Sequence, residues 1–228
     1  MPFFFYDPTF LLLLPAIILA VWAQQHVKST YNKYSKVPAA SGMSGADVAS
    51  RLLQDSGLNE VKLEEVEGKL TDHYDPRSRT LRLSSLISRS RSVAAIGVAS
   101  HEVGHAIQHK WAYGAFQFRQ SIVPVANLGS TLAFPLFLIG LLFASPRLMD
   151  LGIIFFSGAV LFQFITLPVE FNASSRALAL LRSRGYLAEE EVGQAKKVLQ
   201  AAALTYVAAT AVAVLNLLRL LVLRNSRN

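Results

Sequence analysis

The sequence predicts a mostly α-helical integral membrane protein with about four transmembrane helices and a small α+β domain. Its 228 residues are 52% hydrophobic and only 16% charged, whereas soluble domains contain roughly 45–50% apolar and 25% charged residues. Four apolar runs approach the length of about 20 residues that crosses a bilayer core. A polar segment between the first two runs combines helical and strand patterns. This composition excludes a disordered chain, and the lack of cysteine excludes disulfides and thiolate metal sites.

The four apolar runs are the predicted membrane spans, and they comprise residues 10–23, 122–144, 151–169 and 201–223. Pro15 interrupts the first run, but the aromatic residues at 3–6 extend it and Trp22 lies at its end as an interfacial aromatic. A cleaved signal peptide is the alternative interpretation of this run. Because no basic segment precedes it, we expect a retained anchor instead.

Basic residues predict how the spans are oriented, because cytoplasmic loops carry an excess of lysine and arginine. Of the 22 basic residues, 13 lie in segment 24–120 and five in segment 170–200. The short loop at 145–150 contains only Arg147. We therefore expect both basic segments to be cytoplasmic and both termini to lie outside, with a re-entrant or interfacial fourth helix as the alternative. The net charge of +7 then reflects a membrane partner rather than nucleic acid.

The first basic segment changes its hydrophobic period along the chain. Apolar residues at helical spacing predict a helix over 46–54, which Gly57 ends. Alternating residues between 61 and 83, with turns at 67–68 and 75–78, predict a three-strand meander. Helical spacing then returns from Ser92 to His109. The segment is therefore expected to fold as a small α+β domain.

The last of these helices contains His101-Glu102-Val103-Gly104-His105. Residues four apart project from one helix face about 6 Å apart along the axis, so both imidazoles can bind one Zn²⁺ ion. Glu102 can then serve as the general base. Two hydrogen-bonded structural histidines are the alternative. His109 lies about 12 Å from His101 along the axis, which is too far for the same ion, and we expect it at the membrane boundary or supporting the site.

A catalytic zinc ion needs a third protein ligand and one open position. Acidic candidates on the predicted cytoplasmic side are Asp72, Asp75 and Glu170. We favour Glu170, because it follows the third span directly and an ionisable residue at that depth is costly unless functional. The two-span hairpin also returns the chain to the side of His105. A simple ion pair, for example with Arg176, is the alternative role of Glu170.

Two further features bear on the handling of a peptide substrate. Peptide hydrolysis produces a negatively charged oxygen that needs a donor, and His73, Tyr74 and Arg176 are the candidates. The strand at 80–84, with Leu81, Arg82 and Leu83, is a candidate edge strand for an extended substrate. An ordinary inner strand is an equally good interpretation of it.

Several strings of the sequence resemble the YugP-type membrane zinc metallopeptidases, a gluzincin-like family of neutral zinc metallopeptidases. The strings are Leu70-Thr71-Asp72-His73-Tyr74-Asp75-Pro76 and residues 81–84, 92–99, 101–108, 168–171 and 203–208. The resemblance implies zinc bound by His101, His105 and Glu170, with Glu102 as the catalytic base. More distant HtpX-like membrane peptidases often carry Asp four residues after the third ligand, where this chain has Ser174.

We therefore expect a membrane-embedded endopeptidase with one Zn²⁺ per chain that cleaves proteins or peptides at the cytoplasmic face of a bacterial plasma membrane, with a hypothesised role in membrane protein quality control. The expected segments are an anchor at 1–24, a cytoplasmic domain at 25–120, a transmembrane hairpin at 121–169, cytoplasmic helices at 170–200 and a transmembrane helix at 201–228. The alternatives are a catalytically vestigial metal-binding scaffold or chaperone, and a peptidase acting within the bilayer. The sequence leaves the oligomeric state open.

Overall fold

The computed structural model describes residues 8–68 and 71–226, and these are mostly helical with one small sheet. A 3₁₀ helix over Pro8–Leu13 leads directly into the first α-helix. The elements are α1 (Leu14–Tyr34), α2 (Gly45–Asp55), β1 (Lys62–Val66), β2 (His73–Asp75), β3 (Thr80–Ser84), α3 (Ser85–Arg89), α4 (Val93–Lys110), α5 (Gly114–Leu142), α6 (Pro146–Ser183) and α7 (Glu189–Asn225). The predicted aromatic extension at 3–6, Leu70 and Arg227 lie outside the described residues.

Four helical segments of the described chain are long and apolar enough to cross a membrane: Pro8–Tyr34, α5, α6 and α7. This confirms the predicted number of spans. The helices are longer than the apolar runs, since α6 continues through Glu170 to Ser183 and α7 begins at Glu189. The predicted boundary at residue 169 is therefore not a helix end. Beyond it Ala173, Ala177 and Leu181 recur every four residues and are fully buried, which keeps one apolar face on the helix.

The chain folds into two compact units. One, the helical unit, comprises the chain up to Gln24, Phe118–Leu167 and the chain from Thr205 onward; the other, the mixed unit, comprises Gln25–Gln117 and Pro168–Leu204. In the helical unit α5, α6 and α7 pack through a cluster that includes Phe137, Ile153 and Leu220. Arg224 near the end of α7 forms a two-pronged ion pair with Asp150, with N–O distances of 2.8 and 3.0 Å.

Helix α4 is the centre of the mixed unit. Its first turn is capped by Ser92, whose hydroxyl accepts a hydrogen bond from the amide of Ala95. Helix α2 packs against it and begins with a capping box between Ser44 and Asp47. Nearly every residue of α4 from Val93 to Gln108 is buried. An almost wholly buried helix gives its polar side chains fixed surroundings, which a catalytic or binding site requires.

The sheet is mixed and is not the predicted meander. Its strand order is β1-β3-β2, with β1 parallel and β2 antiparallel to β3. The turn predicted at 75–78 does join β2 to β3, but β1 crosses to the far side of β3 instead of pairing with β2. The carboxylate of Asp72 accepts hydrogen bonds from the amide and hydroxyl of Ser84, which holds the start of β2 beside the end of β3.

The proposed edge strand is also corrected by this order. Leu81, Arg82 and Leu83 belong to β3, which is the central strand with a partner on each side. Leu81 and Leu83 are fully buried, and the backbone groups of β3 are used by its neighbours, so an added peptide strand cannot pair with them. The inner-strand interpretation is therefore the correct one, and β2 forms the sheet edge nearer to α4.

Candidate metal centre

Helix α4 contacts the second half of α6 so closely that only glycine fits at the crossing. A Cβ atom added to Gly104 would overlap the backbone of Ala173. Gly104 lies between the two histidines of the α4 pattern, and Ala173 lies one turn after Glu170. The missing side chain therefore lets the histidine-bearing face of α4 approach the glutamate-bearing face of α6.

The contact brings His101, His105 and Glu170 together. Glu170 Oε2 lies 3.2 Å from His101 Nε2 and 3.7 Å from His105 Nε2. The three potential ligand atoms all lie within 4.8 Å of one another, and Glu170 is only 3% exposed. Side chains that are 69 and 65 residues apart in sequence thus converge on one point.

Gln108 fixes the orientation of His105. Its amide nitrogen donates to the carbonyl of Val169 at 2.8 Å and to Asn172 Oδ1 at 3.0 Å. Because a backbone carbonyl can only accept, the amide oxygen of Gln108 must be the atom 3.0 Å from His105 Nδ1. His105 Nδ1 therefore carries the proton, and the lone pair of Nε2 is available toward Glu170.

His101 is oriented in a similar way from α6. Its Nδ1 atom lies 3.0 Å from the hydroxyl of Ser174, and this leaves Nε2 on the side of Glu170. The other ring nitrogen of a metal-binding histidine is commonly held by a carboxylate, a carbonyl or water, and here the Ser174 hydroxyl contacts it. A serine bond is weaker than a charged one, but it fixes the ring in the same direction.

Glu102 is buried beside this cluster and accepts a hydrogen bond from the backbone amide of Tyr74 at 3.1 Å. Burial raises the pKa of the Glu102 carboxyl from 4.5 to about 7, and the nearby carboxylates of Glu170 and Asp72 act in the same direction. His101 and the Tyr74 amide oppose this rise in pKa. A carboxyl group that titrates near neutral pH can both accept and return a proton.

The other acidic candidates for the third ligand have structural partners instead. Asp72 binds Ser84, as described above, and Asp75 accepts hydrogen bonds from the Arg77 amide and from the Ser78 hydroxyl. The Ser78 bond is the main reason that the pKa of Asp75 falls to about 2. Neither aspartate belongs to the ligand cluster found among the described residues.

The predicted supporting residues divide into near and far groups. Tyr74 reaches Glu102 through its amide, while its hydroxyl lies 2.9 Å from His109 Nδ1, so His109 acts behind the site. His73 is exposed, with Nδ1 2.7 Å from the carbonyl of Thr71. Arg176 donates to Asn172 Oδ1 at 2.7 Å, the same oxygen that accepts from Gln108. The choice of oxyanion donor among them stays a prediction.

Sequence reasoning missed Gln108 and Asn172 as site residues. Gln108 follows His105 by three positions, so it lies one turn later on the same helix face, and this spacing was the available signal. Asn172 carries no such signal, because its role depends on the packing of α6 against α4. Together the two side chains connect His105 to the carbonyl that precedes Glu170.

The donor set fits a zinc ion. Ligands arranged tetrahedrally at about 2.0–2.2 Å from one ion lie roughly 3.3–3.6 Å apart. The distances from Glu170 Oε2 to the two histidine Nε2 atoms, 3.2 and 3.7 Å, are close to that range. Two neutral imidazoles and one carboxylate are a typical donor set of catalytic zinc. The buried Glu170 carboxylate would also gain a positive partner from the ion.

Comparison with known proteins gives one family and one close relative. Residues 9–225 match the model of a family described as "Putative neutral zinc metallopeptidase". The chain is 54% identical over 208 residues to "Putative membrane protease YugP" of Bacillus subtilis (strain 168), and this alignment covers 91% of the chain and 92% of that protein. No solved structure gives a significant match.

Proposed function

We propose, from the premise that this chain belongs to the "Putative neutral zinc metallopeptidase" family, that it is a zinc-dependent membrane endopeptidase. Its substrates are proteins or peptides, and its metal ligands are His101, His105 and Glu170. The observation that carries the proposal is the convergence of these three side chains within 4.8 Å, beside a buried carboxyl whose pKa is near neutral.

Zinc, when bound, supplies a Lewis acid that polarises water and a carbonyl group. The chain supplies the proton transfers. Glu102 accepts a proton from the attacking water, and the same carboxyl then donates this proton to the nitrogen of the scissile bond as it leaves. The Tyr74 amide holds Oε2 of Glu102 in place, so the other oxygen is the one available for the proton.

The position of β2 suggests where a substrate strand would lie. The Tyr74 amide points away from β3 and toward Glu102, so β2 presents its outer edge to the site. Because the Tyr74 amide is already donated to Glu102, an extended peptide at this edge would pair with the remaining outward backbone groups of β2 and pass beside Glu102 and the ligand cluster. We propose β2 for the role that the sequence suggested for Leu81, Arg82 and Leu83.

We further propose that the site faces the cytoplasm of a bacterial cell. The basic residues of segments 24–120 and 170–200 support this orientation. The ion pair between Arg224 and Asp150 supports the corresponding placement of the C-terminal end outside, because it neutralises an arginine next to the predicted external hairpin. A role in membrane protein quality control follows if unstructured segments of membrane proteins are the substrates.

Cleavage of an unstructured protein by the purified chain in detergent tests the proposal. Glu102→Gln keeps the size of the side chain and can still accept the hydrogen bond from the Tyr74 amide, but it cannot take up a proton. We expect this variant to retain zinc while the cleavage rate falls by at least about 10²-fold. Glu67→Gln, at an exposed position in the same unit, is the matched control and should cleave at the wild-type rate.

The alternative function is a metal-binding scaffold or chaperone without peptidase activity. It predicts zinc binding in wild type and variant alike, with no cleavage by either at any enzyme concentration. Near wild-type cleavage by Glu102→Gln would instead contradict the assignment of Glu102 as the base.

A further inference from the structure

A cavity of about 620 Å³ lies between α1, α6 and α7 within the mixed unit. Its volume is in the range of ligand pockets, roughly 300–1,000 Å³. The α1 wall presents His26, Thr30, Lys33 and Tyr34, whose spacing places them on one helix face. The facing helix does not fill the space, because Ala201 and Ala203 contribute only methyl groups there.

The cavity is positively charged. Lys33 comes from α1 and Lys197 from α7, and no acidic side chain lines the cavity among the described residues. Neither ammonium group forms an ion pair with a described carboxylate, and the Lys33 ammonium lies 5.3 Å from the centre of the Tyr34 ring. Both lysines are exposed at the cavity, and two like charges beside one cavity favour an anion between them.

All three walls lie where their helices change from apolar to polar composition. Trp22 closes the apolar run of α1 just before the lining residues begin. Phe171 lies two residues after the apolar run of α6, and Lys197 lies four residues before that of α7. In a membrane-spanning chain this is the level of the lipid headgroups. The side chains of Phe171 and Leu204 add an apolar surface to the cavity.

We propose that this cavity binds the headgroup of an anionic phospholipid. The phosphate lies between Lys33 and Lys197, and the acylated glycerol backbone lies against Phe171 and Leu204. Basic pockets between transmembrane helices on the cytoplasmic side are suited to such headgroups, so the lipid site rests on the cytoplasmic orientation proposed above. The site is separate from the peptidase centre, since Phe171 lies about 100° around α6 from Glu170. It needs no peptidase activity to exist.

Native mass spectrometry of the full chain in detergent, titrated with short-chain phosphatidylglycerol, tests the proposal. Phosphatidylcholine carries the same phosphate without net charge, and inorganic phosphate carries the charge without the lipid. We expect phosphatidylglycerol to bind at one site at least about tenfold more tightly than phosphatidylcholine, and millimolar inorganic phosphate not to displace it. Equal binding of the two lipids, or displacement by inorganic phosphate, would overturn the lipid assignment.

Charge variants locate the site. The double variant Lys33→Gln with Lys197→Gln should weaken phosphatidylglycerol binding by about 25-fold, at about fivefold per lysine. Its matched control is Lys28→Gln with Lys196→Gln, which removes the same charge from exposed positions on the same two helices outside the cavity, and it should bind like wild type. Gln200→Trp keeps both lysines but narrows the cavity, so it should weaken binding.

Thermal melting without lipid identifies any variant that fails to fold, and the remaining variants then decide the question. An equal loss of binding in the control pair would show that general surface charge attracts the lipid, and the proposal would be wrong. Unchanged binding by the folded double variant Lys33→Gln with Lys197→Gln would equally exclude this cavity as the site.

Discussion

Glu102→Gln should stabilise the metal-free protein at alkaline pH, although it abolishes catalysis. The folded-state pKa of Glu102, about 7, lies above its ordinary value of 4.5, so folding favours the protonated carboxyl. Wild-type stability therefore falls as pH rises from about 4.5 to about 7 and stays low above that range. Glutamine is neutral throughout and does not lose this stability.

The size of the effect follows from the shift in pKa. A difference of about 2.5 pKa units corresponds to about 3 kcal/mol in the free energy of unfolding. For a chain of this length that equals roughly 6–12 °C in Tm. The hydrogen bond from the Tyr74 amide is retained in the variant, because the glutamine oxygen can accept it.

The assay is thermal unfolding in detergent, followed by circular dichroism at several pH values in the presence of a chelator. The Tm of Glu102→Gln minus that of wild type should be near zero at pH 4.5 and largest at pH 8. Glu67→Gln should show no such difference, because this carboxyl is exposed. A difference in Tm that is independent of pH, or a wild type that is more stable than the variant at pH 8, would contradict the raised pKa of Glu102.

Three other predictions concern the packing, the ligand orientation and the topology. Gly104→Ala should separate α4 from α6, which lowers the free energy of unfolding by about 1–3 kcal/mol and weakens zinc binding. The control is Gly193→Ala, where an added Cβ meets nothing within 4 Å, and it should be neutral or stabilising in thermal melts. Gln108→Met should reduce zinc affinity by about 10–100-fold, measured by competition with a chelator, because His105 loses the partner that sets its tautomer; unchanged affinity would contradict this role. Cysteines introduced at Ser56 and Ser183 in this cysteine-free chain should be protected from impermeant reagents in intact cells, while one at Ser145 should be labelled. Labelling of positions 56 and 183 from opposite sides of the membrane would disprove the topology.

The sequence predicts local elements well wherever one helix carries the information. The helical spacing from Ser92 onward indicated α4, and the composition indicated four long apolar helices. Glu170 could be selected because a lone carboxylate after an apolar run is costly. These inferences need only the chain's own periodicity and the cost of burying charge.

The order of the strands and the support of the ligands could not be predicted in this way. The β1-β3-β2 order depends on the parallel pairing of β1 with β3, two strands that are not consecutive in the chain. The role of Asn172 depends on α6 meeting α4 at Gly104. Such contacts join residues far apart in sequence, and neither hydrophobic period nor local spacing encodes them.

Zinc content per chain, measured by metal analysis of the detergent-purified protein and its variants, tests the three-ligand centre most directly. We expect one zinc in the wild type and in Asp72→Asn, and little or none in His105→Ala and Glu170→Gln. Melting curves identify any variant that has lost its fold. A folded Glu170→Gln variant that keeps one zinc at wild-type affinity, or a folded Asp72→Asn variant that loses it, would contradict the account.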